Sequence, residues 1–142
     1  MQVLLDNFRN PEEPVLGMCI LGGIFSEGID LVGDYLIGAA IIGTGLPMVC
    51  NEREIQQNYF AERENKGFEY AYLYPGMNKV QQAAGRVVRT MEDKGIILLL
   101  DERFVSQQVV NTFPIEWADY DIVTLDTVED KMSAFWSHLQ VE

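Results

Sequence analysis

Three short apolar runs constrain the fold of this chain more than any other feature. Residues 15–21 read Val-Leu-Gly-Met-Cys-Ile-Leu, residues 36–42 read Leu-Ile-Gly-Ala-Ala-Ile-Ile, and residues 96–100 read Ile-Ile-Leu-Leu-Leu. None of them alternates with polar residues. A strand with one face in water alternates, whereas a strand covered on both faces reads as a continuous apolar run. Segments with helical spacing separate the runs. The pattern predicts an α/β fold, a mostly parallel sheet flanked by helices. In such sheets ligands bind at loops leaving the carboxyl ends of the strands. That directs attention to residues 22–34 and to the segments after Ile42 and Leu100.

The remaining elements follow from local signals. Residues 1–9 read as the end of a helix, with Leu4, Leu5 and Phe8 on one face. Residues 10–14 form a loop, and Gly22 and Gly23 close the first strand. Gly43-Thr44-Gly45-Leu46-Pro47 closes the second. Asn51 with Glu54 three residues on is a capping-box pattern that starts a helix, and Gly67 stops it. Residues 68–74 alternate aromatic and small side chains and read as a short strand, followed by a Tyr74-Pro75-Gly76 turn. Asn78 caps the next helix, with Gln81 in its third position, and the helix runs to about Met91. Asp93-Lys94-Gly95 is a turn. Near the end, Val128, Met132, Phe135, Trp136 and Leu139 share one helical face, as expected of a packing helix. No repeat, low-complexity stretch or linker is visible, so residues 1–142 read as a single domain with an acidic tail from about residue 105.

The helix over residues 78–91 carries the most chemistry. Val80, Ala83, Ala84, Val87, Val88 and Met91 fall on one half of it. Gln82, Gly85, Arg86 and Arg89 fall on the other, a stripe with two arginines, a glycine and no acid. Glycine within a helix costs about 1 kcal/mol relative to alanine, which points to a close approach at Gly85. Two guanidinium groups one turn apart can face a single anion, and their planar forks suit phosphate oxygens. On pattern alone, a solvated basic stripe, or arginines tied to Asp101 or Asp30, explains it better, because exposed arginine on a helix is common.

The loop after the first run, Gly22-Gly23-Ile24-Phe25-Ser26-Glu27-Gly28-Ile29-Asp30-Leu31, places Ser26, Glu27 and Asp30 at the ligand-binding end of the sheet. It is neither a Walker A loop nor a dinucleotide fingerprint, because it contains no Gly-Lys-Ser/Thr and no Gly-x-Gly-x-x-Gly. Asp30 would repel a triphosphate, so a ribose hydroxyl or a neighbouring arginine is the better partner. Helix-capping and turn roles for Glu27 and Asp30 stand beside that reading.

Composition narrows the classes further. The net charge is −12, with nine acids against two bases from Asp101 onward. Any nucleic-acid contact must then be local, made by backbone amides and a few cations, without a broad basic face. Cys19 and Cys50, with a single histidine in the chain, cannot build a zinc or iron–sulfur site and read as reduced core cysteines. The longest apolar candidate, residues 36–49, is broken by Gly38, Gly43, Gly45 and Pro47, so no membrane span is expected. No basic segment precedes an apolar one at the start, so no secretory signal is expected either.

Taken in order, these pieces resemble the second motor domain of superfamily-two DNA helicases of the XPD/DinG type. Residues 23–31 resemble motif V, with its Ser-Glu-Gly-Ile-Asp core. Ile42-Gly43-Thr44-Gly45-Leu46-Pro47 resembles the strand exit that follows it. Gln82-Ala83-Ala84-Gly85-Arg86-Val87-Val88-Arg89 matches motif VI, Gln-x-x-Gly-Arg-x-x-Arg, at every defined position. Asp101-Glu102-Arg103-Phe104 matches the Asp-x-Arg-Phe that closes the domain.

The resemblance implies a RecA-like fold, incomplete at its N-terminal side, and an ATP site shared with a first RecA-like motor domain absent from this sequence. It implies Arg86 and Arg89 as catalytic arginine fingers. Gln82, Gly85, Asp30, Glu27 and Gly28 would bind nucleotide, and Gly23 and Ser26 would couple to single-stranded DNA. ATP and Mg are implied as cofactors, held mainly by the first motor domain, with no metal site here. Single-stranded DNA, ATP and that first domain are the implied partners, with a role in DNA repair, a cytoplasmic, nucleoid-associated location and no membrane association. Alone, the chain is expected to be inactive. A non-catalytic acidic α/β interaction module, or an anion-binding module using Arg86 and Arg89, remain the alternatives.

Overall fold

The computed structural model describes residues 2–9, 14–23, 31, 33–90 and 92–139. The chain separates into two compact units, residues 1–112 and 113–142. The first is an α/β unit. It opens with α1 (Gln2–Arg9) and a 3₁₀ turn (Gly33–Tyr35), followed by β1 (Gly38–Ile42) and α2 (Asn51–Glu64). A π-helical turn (Glu69–Leu73) then leads directly into α3 (Tyr74–Ala84). β2 (Ile96–Leu100), a 3₁₀ turn (Glu102–Val105) and the short α4 (Gln107–Val110) complete the unit.

β1 and β2 pair in parallel, from Gly38 opposite Ile96 to Ile42 opposite Leu100. The parallel sheet flanked by helices is thus as expected, but its coverage is not. Ile41 is buried while Ile42 is 78% exposed, and β2 is half-buried throughout except for the exposed Leu100. Burial on both faces needs a helix on each; among the described residues, α3 packs against β1. The expected first strand also differs. Residues 14–20 form no regular structure, and Leu16, Met18 and Ile20 are more than 80% exposed. An apolar run specifies only what wants burial. A strand also needs a neighbouring backbone to complete its ladder, and no such partner occurs among the described residues. Gly22 and Gly23 do turn the chain, with Gly22 at φ +80. Cys19 and Cys50 are exposed free thiols, not core residues.

α2 begins where expected, but Cys50 is its N-cap and no side chain caps it; Asn51 is already helical. Its stop is Asn65, at φ +55 in the left-handed region, whose backbone N–H returns to the Ala61 carbonyl. Gly67 lies beyond, where it permits contact with the Gln57 carbonyl.

The expected strand over residues 68–74 and the turn at Pro75 are both helical. Proline cannot donate to the carbonyl four residues back, and its ring crowds that carbonyl. The chain widens one turn ahead of it: the Tyr74 N–H reaches the Glu69 carbonyl, five residues back. The Ala71 carbonyl, which an ordinary residue 75 would have bonded, accepts from the Arg53 guanidinium of α2 at 3.2 Å. Aromatic side chains that suggested alternation instead stack between and along helices, Phe60 on Tyr70 at 4.3 Å and Phe68 on Tyr72 at 5.7 Å. The core of this unit gathers Ala71, Tyr72, Leu73, Met77, Val80 and Ala84 with Ile41, Val87, Phe104 and Val109.

The second unit holds a 3₁₀ turn (Ile115–Trp117) and α5 (Val128–Leu139). Phe113 meets Trp117 and Tyr120 edge-on at 5.3 and 5.7 Å. The Thr127 hydroxyl accepts the Thr124 N–H at the start of α5, and Lys131 pairs with Asp121 at 3.0 Å. Val128, Met132 and Trp136 are half-buried, whereas Phe135 is exposed.

Candidate nucleotide-facing site

The carboxyl ends of β1 and β2 lie side by side, and each continues into one of the motif segments. After β2, Asp101 terminates the strand and caps the following 3₁₀ turn. One carboxylate oxygen accepts the Arg103 N–H at 2.9 Å and its Nε at 2.8 Å, and the other accepts a terminal guanidinium nitrogen at 2.7 Å. These bonds hold the Asp101 carboxyl down at about 2. Phe104 then drops into the core at 4% exposure. The Asp-x-Arg-Phe pattern is thus a strand stop, its clamp and its anchor. After β1, Thr44 is buried, and its hydroxyl finds no hydrogen-bond partner among the described residues. It lines a shallow depression of about 120 Å³ with Arg103 and Phe68. A second depression, about 280 Å³, lies between Lys66, Tyr74 and Asn111. Neither includes the motif VI arginines.

The expected helical stripe is reshaped. α3 ends at Ala84, seven residues before the expected Met91, and Gly85 is its C-cap with φ −66 and ψ 0. Tight three-residue closures follow, Arg86 N–H to Ala83 and Val87 N–H to Ala84, a common way for a last turn to tighten. Gly85 is therefore not a mid-helix residue. It is exposed, and a Cβ there would meet only the preceding turn of its own chain. No neighbouring element among the described residues approaches it. Asn78 does not cap a helix either; it lies inside α3. Val88, expected on the apolar half, is 43% exposed. Met91 lies outside the described residues.

The motif side chains are distributed accordingly. Gln82 is exposed on the last turn of α3, while its neighbour Gln81 is committed inward, donating to the Thr112 carbonyl at 2.7 Å. Arg86 and Arg89 are half-buried and follow the helix, and the Arg89 Nε is shielded from solvent. The two arginines are not stacked one turn apart on a helix. They sit on a turn and on the irregular stretch after it. That stretch is held by Val87, buried at 3%, and by a residue that periodicity did not reveal. Asp93 accepts the Arg89 N–H at 2.9 Å and the Thr90 N–H at 2.8 Å. These bonds lower the Asp93 carboxyl below its ordinary range. The signal for it was a Thr-x-x-Asp spacing after the motif, a pattern of side-chain-to-backbone closure.

Of the loop residues, Gly23 is described: its N–H donates to the Ile20 carbonyl at 3.0 Å in a turn. Ser26, Glu27, Gly28 and Asp30 lie outside the described residues. No group of three or more metal-ligating side chains occurs among the described residues. No helix among them is long and apolar enough to cross a membrane.

A family model described as the helicase C-terminal domain matches residues 1–120. The chain belongs to the helicase C-terminal domain family. Its α/β unit is a partial RecA-like helicase domain, and the motif VI segment lies within the matched range. The chain is similar to a probable ATP-dependent helicase of Methanocaldococcus jannaschii, 24% identical over 139 residues, which cover 90% of this chain and 21% of that protein. It is also similar to the ATP-dependent DNA helicase CHL1 of Candida glabrata, 28% identical over 138 residues, covering 88% of this chain and 16% of the relative. A regulator of telomere elongation helicase 1 homolog of Drosophila melanogaster is 34% identical over 95 residues, 61% of this chain and 9% of that protein. The helicase C-terminal domain chain thus spans about a fifth or less of the length of these relatives.

Proposed function

We propose that this domain is the second motor half of an ATP-dependent DNA helicase, one that completes an ATP site formed with a first RecA-like motor domain. The observation that carries the reading is the Gln82, Gly85, Arg86 and Arg89 set at the carboxyl end of α3, within a family match covering residues 1–120. The cationic and amide donors of that set fit phosphate oxygens. By the family resemblance, the Mg ion would be held mainly by the first motor domain. The names of the M. jannaschii and C. glabrata relatives support ATP dependence, and that of the latter supports DNA.

When bound, ATP with its Mg ion supplies a phosphoryl group for transfer to water. The chain's own residues would orient it and stabilise its charge. Arg86 and Arg89 would approach the terminal phosphate and neutralise charge that builds as the bond to the leaving oxygen lengthens. Gln82 would position the phosphates, with Gly85 leaving room beside it. Glu27, Gly28 and Asp30 would face the nucleotide, Asp30 through a ribose hydroxyl or an arginine. Gly23 and Ser26 would link the state of the cleft to the DNA backbone, so that closing and opening of the cleft moves single-stranded DNA past it. The net charge of −12 favours a second reading, an acidic interaction module that keeps the fold without the motor.

The test is ATP hydrolysis by the full-length protein with and without single-stranded DNA, comparing wild type with Arg89→Ala and with this chain alone. The motor reading expects DNA stimulation in the wild type, a loss of about a hundredfold or more in the variant, and no turnover by this chain. A full-length protein without DNA-stimulated hydrolysis would overturn it in favour of the interaction module.

A further inference from the structure

Helical geometry does not hold Arg89. α3 ends at Ala84, the closures at Arg86 and Val87 finish the turn, and Val88 and Arg89 lie in irregular backbone. Two local anchors bracket the arginine instead. Upstream, Val87 is buried at 3% and packs on Gly95, where a Cβ would collide with its methyl group. Downstream, one oxygen of Asp93 accepts the backbone N–H groups of Arg89 and Thr90 at 2.9 and 2.8 Å. A single side chain therefore fixes the backbone at the exit of motif VI.

We propose that Asp93 is a positioning residue, a clasp that fixes the Arg89 backbone just past the closing turn of α3 and so sets where the Arg89 guanidinium reaches. The inference rests on the reading of Arg89 as an arginine finger. A carboxylate gathering backbone N–H groups makes charge-assisted bonds, about twice as strong as neutral ones. Misplacing a catalytic group by about 1 Å costs on the order of a hundredfold in rate. Removing the clasp should therefore act on turnover through Arg89 more than on ATP affinity.

A double-mutant cycle in the full-length protein tests this, with kcat and KM for DNA-stimulated ATP hydrolysis and Tm measured on Asp93→Ala, Arg89→Ala and the double variant. The expected result is a loss of about tenfold or more in kcat for Asp93→Ala with a smaller change in KM, and no further loss when Asp93→Ala is added to Arg89→Ala. Asp93→Asn keeps an oxygen acceptor without the charge. It should fall between wild type and Asp93→Ala, and it runs the same cycle where Asp93→Ala does not fold. Wild-type kcat in Asp93→Ala, or an equal fold-loss from the Asp93 variant in both backgrounds, overturns the clasp while leaving Arg89 its role. Normal turnover in Arg89→Ala removes both.

Discussion

Replacing Gly76 with alanine sets two physical effects of opposite sign against each other. Gly76 lies inside α3, where alanine is favoured over glycine by about 1 kcal/mol. Propensity alone therefore predicts a more stable protein. Packing predicts the reverse. A Cβ on Gly76 would lie 2.7 Å from the Thr44 carbonyl oxygen, 3.1 Å from the Gly45 carbonyl carbon and 3.1 Å from a Leu46 methyl group. The same contact viewed from the loop puts a Cβ on Gly45 2.9 Å from the Gly76 carbonyl, and Gly45 sits at φ +64. Helix and loop meet backbone to backbone, so no rotamer change can make room. Relief requires sliding α3 off the end of β1, and the loop is itself tied to β2 by the Gly43 N–H to the Leu100 carbonyl. Overpacking of this kind costs about 1–3 kcal/mol. A contact with backbone on both sides belongs at the upper end, which leaves a net destabilisation of roughly 1–2 kcal/mol after the propensity gain. Urea unfolding followed by circular dichroism would show a lower midpoint at unchanged slope. Asn78→Ala, exposed in the same helix, is the control and should gain about 0.5 kcal/mol. If Gly76→Ala is stabilised as Asn78→Ala is, the close approach of α3 to the β1 exit is wrong.

Two further changes probe the carboxyl ends of the strands. Thr44→Val removes a buried hydroxyl that has no partner among the described residues while keeping its shape; it should leave Tm unchanged or raise it, and a loss above about 1 kcal/mol would mean that the hydroxyl is bonded. Asp101 is held at about 2 when folded, against an ordinary value of 3.8, so its contribution is complete above the carboxylate range and fades as pH falls from about 5 through about 2. Asp101→Asn should therefore melt below wild type at pH 6, with the gap narrowing by pH 2.5, and a gap of equal size at both pH values would refute the Arg103 clamp.

The fold was legible where one local signal sufficed. β1 and β2 follow directly from their apolar runs, and α2 starts where its polar turn begins. It was not legible where tertiary context overrode a local signal. Pro75-Gly76 reads as a turn, but the π-helical turn at Glu69–Leu73 absorbs the proline and Arg53 satisfies the Ala71 carbonyl it leaves behind. Nothing in the spacing of Tyr70, Tyr72 and Tyr74 distinguishes that from a strand. The exposed run at residues 14–20 carries the composition of a buried strand, yet composition does not supply the neighbour a strand needs. For the site, the identities and order of Gln82, Arg86 and Arg89 could be read from the sequence, but the backbone that carries them could not. The apolar residues continue at helical spacing to Val87 because the turn still buries that side chain, so periodicity overran the true helix end.

That difference between spacing and backbone bears on how the two arginines can work. On a continuous helix, Arg86 and Arg89 would move as one rigid face, and shifting one would shift the other. Here Arg86 belongs to the closing turn of α3, while Arg89 lies beyond Val87 and is fixed at its N–H by Asp93. Arg86 is thus referenced to the helix that packs on β1. Arg89 is referenced to the Asp93 carboxylate, which holds its N–H and that of Thr90. Two cations held by different parts of the domain can be displaced independently. Substitutions that disturb α3, such as Gly76→Ala, should therefore reach Arg86 first, whereas those at Asp93 should act on Arg89 while leaving the core beneath α3 intact.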